Sequence, residues 1–264
     1  MKRAFIRALW GSNDVSQDEG WITPSKRYER MDLDIKLVLS EEYQHPFRVY
    51  VFGKENYEYI KSKGIEDCVM VNEEPVVWDL QKEFWRHKLD ILRYAMEEDG
   101  YDEIVYLDWD CILVKEMPDD FWKILGKKEK IQANLQFYKR RKCLWRKGDH
   151  RKTSNGGFLY IRDRNVPSEL IEVWEGFDEQ TKFWDEISIS KYIDNCMGGW
   201  KGIDEYWKLY EPEVCNLAIV NNKNRSAFSE DILSGKGACF EHFIQAMGTR
   251  KARLKNYMED DEEN

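Results

Sequence analysis

Two aspartates separated by a single residue, Asp108 and Asp110, interrupt the stretch DEIVYLDWDCILV. Ile104, Val105 and Leu107 read as a buried strand, and apolar residues resume at Ile112. Burying unpaired charge is costly, so a strand serving only a core would not end in two carboxylates. Two acids flanking one residue form a compact set of hard oxygen ligands. Such sets suit Mg²⁺ or Mn²⁺, which take one or two carboxylates together with substrate phosphates and water. The alternative is a capped turn in which the acids accept from backbone amides.

The elements that must position this pair are legible in the spacing. Residues 3–9 read as a strand followed by a Gly/Ser/Asn/Asp loop. Pro24 opens a helix over about 27–40 whose apolar face carries Met31, Ile35, Val38 and Leu39. FRVYVFG is a short strand ended by Gly53, a helix over 54–63 stops at Gly64, and CVMVN is the next strand. The segment LQKEFWRHKLDILRYAMEEDG is a helix with Phe84, Lys88, Ile91 and Ala95 spaced by three and four, and Gly100 terminates it. It leads into the strand that ends at Asp108. Alternating strands and helices predict an α/β protein with a single Rossmann-like, mostly parallel sheet flanked by helices. In such sheets ligands sit at the C-terminal ends of strands, where Asp108, Asp110 and the GSND loop lie.

The second half is less regular. KIQANLQFY and GGFLYIRD read as strands on either side of a basic loop that runs from Lys139 to Lys152. That loop is either a solvated surface segment or a lid whose cations meet phosphate. Helices follow around 168–175 and 184–195, then a Gly/Trp loop, a late strand ACFEHFI and a basic helix. The organisation expected is one domain over 1–257 in two halves, 1–114 and 115–257. Residues 258–264 are a charge run with nothing to bury and are expected to be disordered.

Composition narrows the function. With 264 residues, 34% charged and 42% hydrophobic, the chain reads as globular, and no apolar run approaches the roughly 20 residues of a membrane span. Arg7 interrupts the apolar residues near the N-terminus, so no signal peptide is expected and the cytoplasm is the expected location. A net charge of -9 argues against binding to nucleic acid. The six cysteines show no metal-type spacing and read as buried thiols. The 11 tryptophans either fill a core or line a groove for sugar rings.

DEIVYLDWDCILVKEMP resembles the Asp-x-Asp segment of nucleotide-sugar-dependent glycosyltransferases of the GT-A fold, the class that includes glycogenin-like enzymes. Three further segments resemble the family in the same order: SNGGFLYIRD, FWDEISISKYI and CFEHFIQAMGTRK. The resemblance implies a sheet with a smaller acceptor-side region, a nucleotide-binding half over 1–114 and an acceptor-side, metal-completing half over 115–257. It implies that Asp108, Asp110 and His242 hold Mn²⁺ or Mg²⁺. It implies donor contacts from Lys88, Asp108, Asn155, Gly156 and Gly157, and a reacting acid at Asp185 with Glu186 second. The reaction implied is transfer of a sugar from a nucleotide diphosphate sugar, with a UDP-sugar favoured, to a hydroxyl acceptor such as a glycan. The pattern departs from the glycogenin-like one after His242. Gly248 and Lys251 come late and Pro-Trp is absent, so Lys251 is given no diphosphate role.

The residues by themselves leave other readings open. A lone histidine in an apolar strand is usually a hydrogen-bonded core residue. Asn155–Gly157 is compatible with a simple turn, and Asp185 and Glu186 with helix N-terminal charges. A haloacid-dehalogenase-like phosphatase or a nucleotidyltransferase would also use an Asp-x-Asp metal site. The phosphatase family, however, carries it near the start of the chain. A non-catalytic carbohydrate-binding protein would use the tryptophans and need no metal.

Overall fold

The computed structural model describes residues 1–11, 24–39, 45–76, 86–113, 117, 119, 121–125, 130–137, 152–176, 185–196 and 240–242. The first four strands are β1 (Arg3–Leu9), β2 (Phe47–Phe52), β3 (Cys68–Asn72) and β4 (Glu103–Leu107). Between them run α1 (Pro24–Leu39), α2 (Lys54–Ser62) and α3 (Arg86–Glu97). There follow β5 (Cys111–Leu113), α4 (Phe121–Leu125), β6 (Ile131–Phe137), β7 (Lys152–Ile161), α5 (Val166–Glu175), α6 (Asp185–Cys196) and β8 (Phe240–His242).

Six strands form one sheet in the order β3-β2-β1-β4-β7-β6, and β5 pairs with β8 in a separate two-stranded ribbon. The β1–β2, β2–β3 and β1–β4 pairs are parallel, while β7 runs antiparallel to both β4 and β6. The sheet is therefore mostly parallel, with one reversed strand contributed by the second half of the chain. From β1 the chain winds outward through β2 and β3, then returns to place β4 on the opposite side of β1. That reversal is a topological switch point, the position at which open α/β sheets bind ligands.

Alternation along β1 divides the core. Ile6, Ala8 and Trp10 pack with α3, α5 and α6 on one face, through Leu89, Leu92, Leu170, Trp174, Ile189 and others. Leu9 packs on the other face with Met31, Ile35 and Val38 of α1 and Ile60 of α2, and Phe5 packs there with Phe121 and Leu125 of α4. Trp10, Trp109 and Trp174 are buried, so these tryptophans are core residues and not a sugar platform.

Several boundaries differ from the sequence reading. Helix α1 begins at Pro24 itself, because proline suits the first helical position, where no amide bond is required of it. Leu39 ends that helix exposed, and Leu37 is buried instead. Strand β7 starts four residues before Gly156, so Asn155–Gly157 lies inside a strand and not at a turn or strand start. Ribbon strand β5 and helix α4 are too short to announce themselves by periodicity. Residues 12–14 of the GSND loop, the basic segment 139–151, the Gly/Trp loop, Gly248, Lys251 and the tail 258–264 lie outside the described residues.

Candidate active site at the switch point

The β1–β4 ladder runs from Arg3/Glu103 to Ile6/Tyr106 and then stops, while β1 stays paired with β2 through Leu9. Beyond that point β1 and β4 part, and Asp108 is the first residue after β4 on the far side of the gap. Tyr106 and Asp108, two apart, share a face of the sheet. The Tyr106 hydroxyl donates to Asp108 Oδ1 at 2.7 Å. Lys88 Nζ stands 3.3 Å from the same oxygen and 4.9 Å from the Tyr106 ring centre.

Lys88 occupies a core position of α3 at the spacing of Ile91 and Ala95, with its side chain only 3% exposed against 30% for Asp108. A buried ammonium is tolerated only when paired and hydrogen-bonded. It gains its second partner from the Gly156 carbonyl, to which it donates at 3.3 Å. One cation thus ties the β4 acid to the β7 backbone.

That backbone is irregular. Opposite Ala133 and Asn134 the register of β7 jumps from Leu159 to Asn155, a bulge that spans Gly156–Phe158. A bulge of this kind re-aims a strand, and glycine permits close backbone approach there. On its other edge the Gly157 carbonyl accepts from the Asp108 amide at 2.9 Å. The Asn-Gly-Gly segment and Asp108 are therefore neighbours across the strand end.

Asp108 to Cys111 form a tight turn in which the Cys111 amide donates to the Asp108 carbonyl at 2.9 Å. Trp109 lies on the opposite face from Lys88 and donates its indole N–H to the Ala8 carbonyl at 2.9 Å. Arg7, fully buried, donates from Nη1 to the Asp108 carbonyl at 2.6 Å and from Nη2 to the Cys111 carbonyl at 2.9 Å. Its guanidinium also faces the rings of Phe47 and Trp109 at 5.3 and 5.5 Å. His45 lies against Phe5, their ring centres 4.5 Å apart. Burial, reinforced by the charge of Arg7, lowers its pKa to about 3, so it stays neutral. Asp110 completes the turn and is 7% exposed.

The turn runs directly into β5. There the register sets Cys111 opposite His242, Ile112 opposite Glu241 and Leu113 opposite Phe240. The last strand among the described residues is thereby delivered to the residue following Asp110. Asp185 opens α6, which packs against α5 and against β7, the strand of Gly156 and Gly157. Asn155, Asp185, Glu186 and His242 are described through their backbone alone.

The set therefore gathers Lys88, Asp108, Asp110, Gly156 and Gly157 around one strand end, with the His242 backbone across the ribbon. Among the described residues no three His, Cys, Asp or Glu side chains form a metal-binding group. The donor set they do provide, two carboxylates on one turn, matches the one or two acids that Mg²⁺ or Mn²⁺ takes from protein. Both the ion pair and the tyrosine bond fall on Asp108 Oδ1.

Sequence reasoning missed Arg7, Tyr106 and Trp109. A signal existed for Arg7, a lone cation within an otherwise apolar strand. A separate cavity of about 350 Å³ is lined by Phe52, Asn72, His87, Asp90, Arg93 and Tyr94. Its walls mix both signs of charge and include none of these site residues.

No protein-family model matches the sequence, and no curated protein matches it by sequence. Among solved structures it is similar to a glycosyltransferase involved in the glycosylation of the major capsid of PBCV-1, at 12% identity and a TM-score of 0.46, covering 95% of this chain and 98% of that one. It is similar to the glycosyltransferase GlyE of Streptococcus pneumoniae TIGR4, at 13% identity and a TM-score of 0.45 over 93% of this chain. The chain spans 55% of the length of GlyE. A third similar structure is CMP:2-keto-3-deoxy-manno-octonic acid synthetase complexed with CTP, at 12% identity and a TM-score of 0.43, covering 77% of this chain and 87% of that one. At these values the likenesses decide neither fold nor activity, and two different kinds of enzyme are among them. The fold rests on the sheet order itself. No helix among the described residues is long and apolar enough to cross a membrane.

Proposed function

We propose that the chain is a glycosyltransferase of the GT-A type that moves a sugar from a nucleotide diphosphate sugar, a UDP-sugar in the first instance, to a hydroxyl acceptor such as a glycan. The observation that carries the reading is the acid pair Asp108/Asp110 at the switch point, bridged by Lys88 to the glycine bulge of β7. A divalent cation, Mn²⁺ or Mg²⁺, would be held by Asp110 with Asp108 and His242, and when bound it supplies Lewis-acid stabilisation of the leaving diphosphate.

The chain's own residues then have distinct tasks. Lys88 and the Tyr106 hydroxyl hold Asp108 in one rotamer and fix its free edge toward the donor. Gly156 and Gly157 let the β7 backbone come close to the sugar, with Asn155 beside them. Asp185, at the start of the helix packed on β7, is the candidate acid near the anomeric carbon, with Glu186 as its alternate. It accepts the acceptor's proton if the reaction inverts, or steadies the cationic sugar if it retains.

A thermal-shift screen of nucleoside diphosphates and nucleotide sugars, with and without Mn²⁺, tests the reading, because a ligand that binds only the folded state raises the melting temperature by mass action. Stabilisation by a nucleoside diphosphate that requires Mn²⁺ is the expected result. Hydrolysis of generic phosphate esters without nucleotide preference would point instead to a phosphatase. Formation of a nucleotide sugar from a nucleoside triphosphate would point to a nucleotidyltransferase.

A further inference from the structure

Arg7 sits at the point where β1 and β4 part. The ladder between them ends at Ile6/Tyr106, and the next residue of β1 fills the gap with a guanidinium. Its two terminal nitrogens donate to Asp108 O and Cys111 O, the first and last carbonyls of the turn that carries both acids. The other interior positions of β1 on this face, Phe5 and Leu9, are apolar. Burying a guanidinium at such a place costs free energy that an aliphatic side chain would not.

Its planar fork spans two oxygens at a fixed separation, which a lysine ammonium does not do. Trp109, the residue between the acids, covers the fork from one side and anchors itself to Ala8. Both ends and the middle of the turn are thus gripped from β1, on the face opposite Lys88. Both terminal nitrogens of Arg7 meet main-chain oxygens of the turn, so its grip reaches the acids through the backbone.

From this arrangement we infer that Arg7 is a positioning residue of the acid pair. By clamping the Asp108 and Cys111 carbonyls it sets the separation and direction of the two carboxylates, and so tunes the affinity of the turn for a divalent cation. The inference rests on the metal-dependent reading proposed above. It adds a determinant that lies fully buried in the first strand.

The test compares wild type, Arg7→Lys, Arg7→Gln and Asp110→Asn in the full chain. The half-saturating Mn²⁺ concentration for UDP binding and the UDP affinity at saturating Mn²⁺ are measured separately, with circular dichroism and melting temperature alongside. Loss of outer contacts that orient metal ligands typically costs 10–100-fold in metal affinity. A folded Arg7→Lys is expected to raise half-saturating Mn²⁺ by about tenfold while UDP affinity at saturating Mn²⁺ changes little.

If a folded Arg7 variant stays within about twofold of wild type while Asp110→Asn loses its Mn²⁺ response, the positioning role is overturned and the metal reading stands. Equal weakening of both quantities marks general loosening and likewise overturns it, as does failure of both Arg7 variants to fold. A wild-type protein that binds UDP identically with and without Mn²⁺ removes the metal reading, and this inference with it.

Discussion

At the scale of single residues, the two acids of the turn are unequal. Asp108 shares one oxygen between Lys88 and Tyr106, whereas Asp110 is buried on the ribbon side, next to the register position of His242. On the proposed reading Asp110→Asn keeps the shape of the turn and removes one charge. Metal affinity should fall by more than the roughly 10–100-fold usual for losing an outer contact that orients a metal ligand. Titrating Mn²⁺ against sugar transfer checks this, and normal transfer with the metal chelated would refute it. His45 makes a separate prediction that does not depend on function. Below its ordinary value of 6.5 the unfolded chain protonates this side chain, while the folded chain, with a pKa near 3, does not. Stability is therefore present above pH 6.5 and declines as pH falls from there toward 3, by up to about 1.4 kcal/mol per pH unit. The carboxyl of Asp163, held down by Lys130 and the Asn165 amide, titrates only below the ordinary aspartate value of 3.8. Among the described residues with a shifted pKa, His45 is the one that acts between pH 6.5 and about 4. His45→Phe keeps a ring against Phe5, and urea unfolding at several pH values should show a flatter slope for it in that window.

At the scale of elements, the C-terminal edge of the sheet depends on how each strand ends. Gly53 turns β2 into α2 with a φ of 93°, its amide donating to Asn72 and its carbonyl accepting from Tyr57. A Cβ there would stand 2.7 Å from the Pro75 Cβ, so Gly53→Ala combines a left-handed backbone with a clash. A cost of about 1–3 kcal/mol is expected, read as a lower urea midpoint at unchanged slope. The elements differed in how legible they were. The strand β1 and the buried face of α3 stood out because each repeats its own period over enough residues, and Lys88 was visible as the one cation on an apolar face. The bulge in β7 was not legible, since Asn-Gly-Gly suits turns and bulges alike and only the partner strand decides between them. Helix α4, of five residues, and strand β5, of three, are shorter than any period that could reveal them.

At the scale of the whole molecule, the sequence made the mostly parallel sheet and the position of the acids readable, because both follow from local alternation. It did not show what holds the acids. Arg7 reaches Asp108 across 101 residues and Lys88 reaches Gly156 across 68, and no local pattern encodes such approaches. The most distant of these meetings is the ribbon of β5 and β8, three residues on each side. Long-range pairings must overcome loop closure before they gain anything, so pairings of this kind form late and open early. The wide sheet and the ribbon should accordingly exchange their amide hydrogens on different clocks. Amides of β4 such as Val105, central in the sheet, should exchange only on global unfolding, and those of Cys111 and Leu113 through a smaller opening. Any ligand that joins the β5 turn to β8 would slow the second clock and leave the first unchanged. Hydrogen exchange followed by mass spectrometry, with and without Mn²⁺ and UDP, measures this. Uniform protection across both would show that the ribbon opens only with the sheet. Two separate clocks would instead make the six-stranded sheet a standing frame and the ribbon a transient docking of β8 upon it.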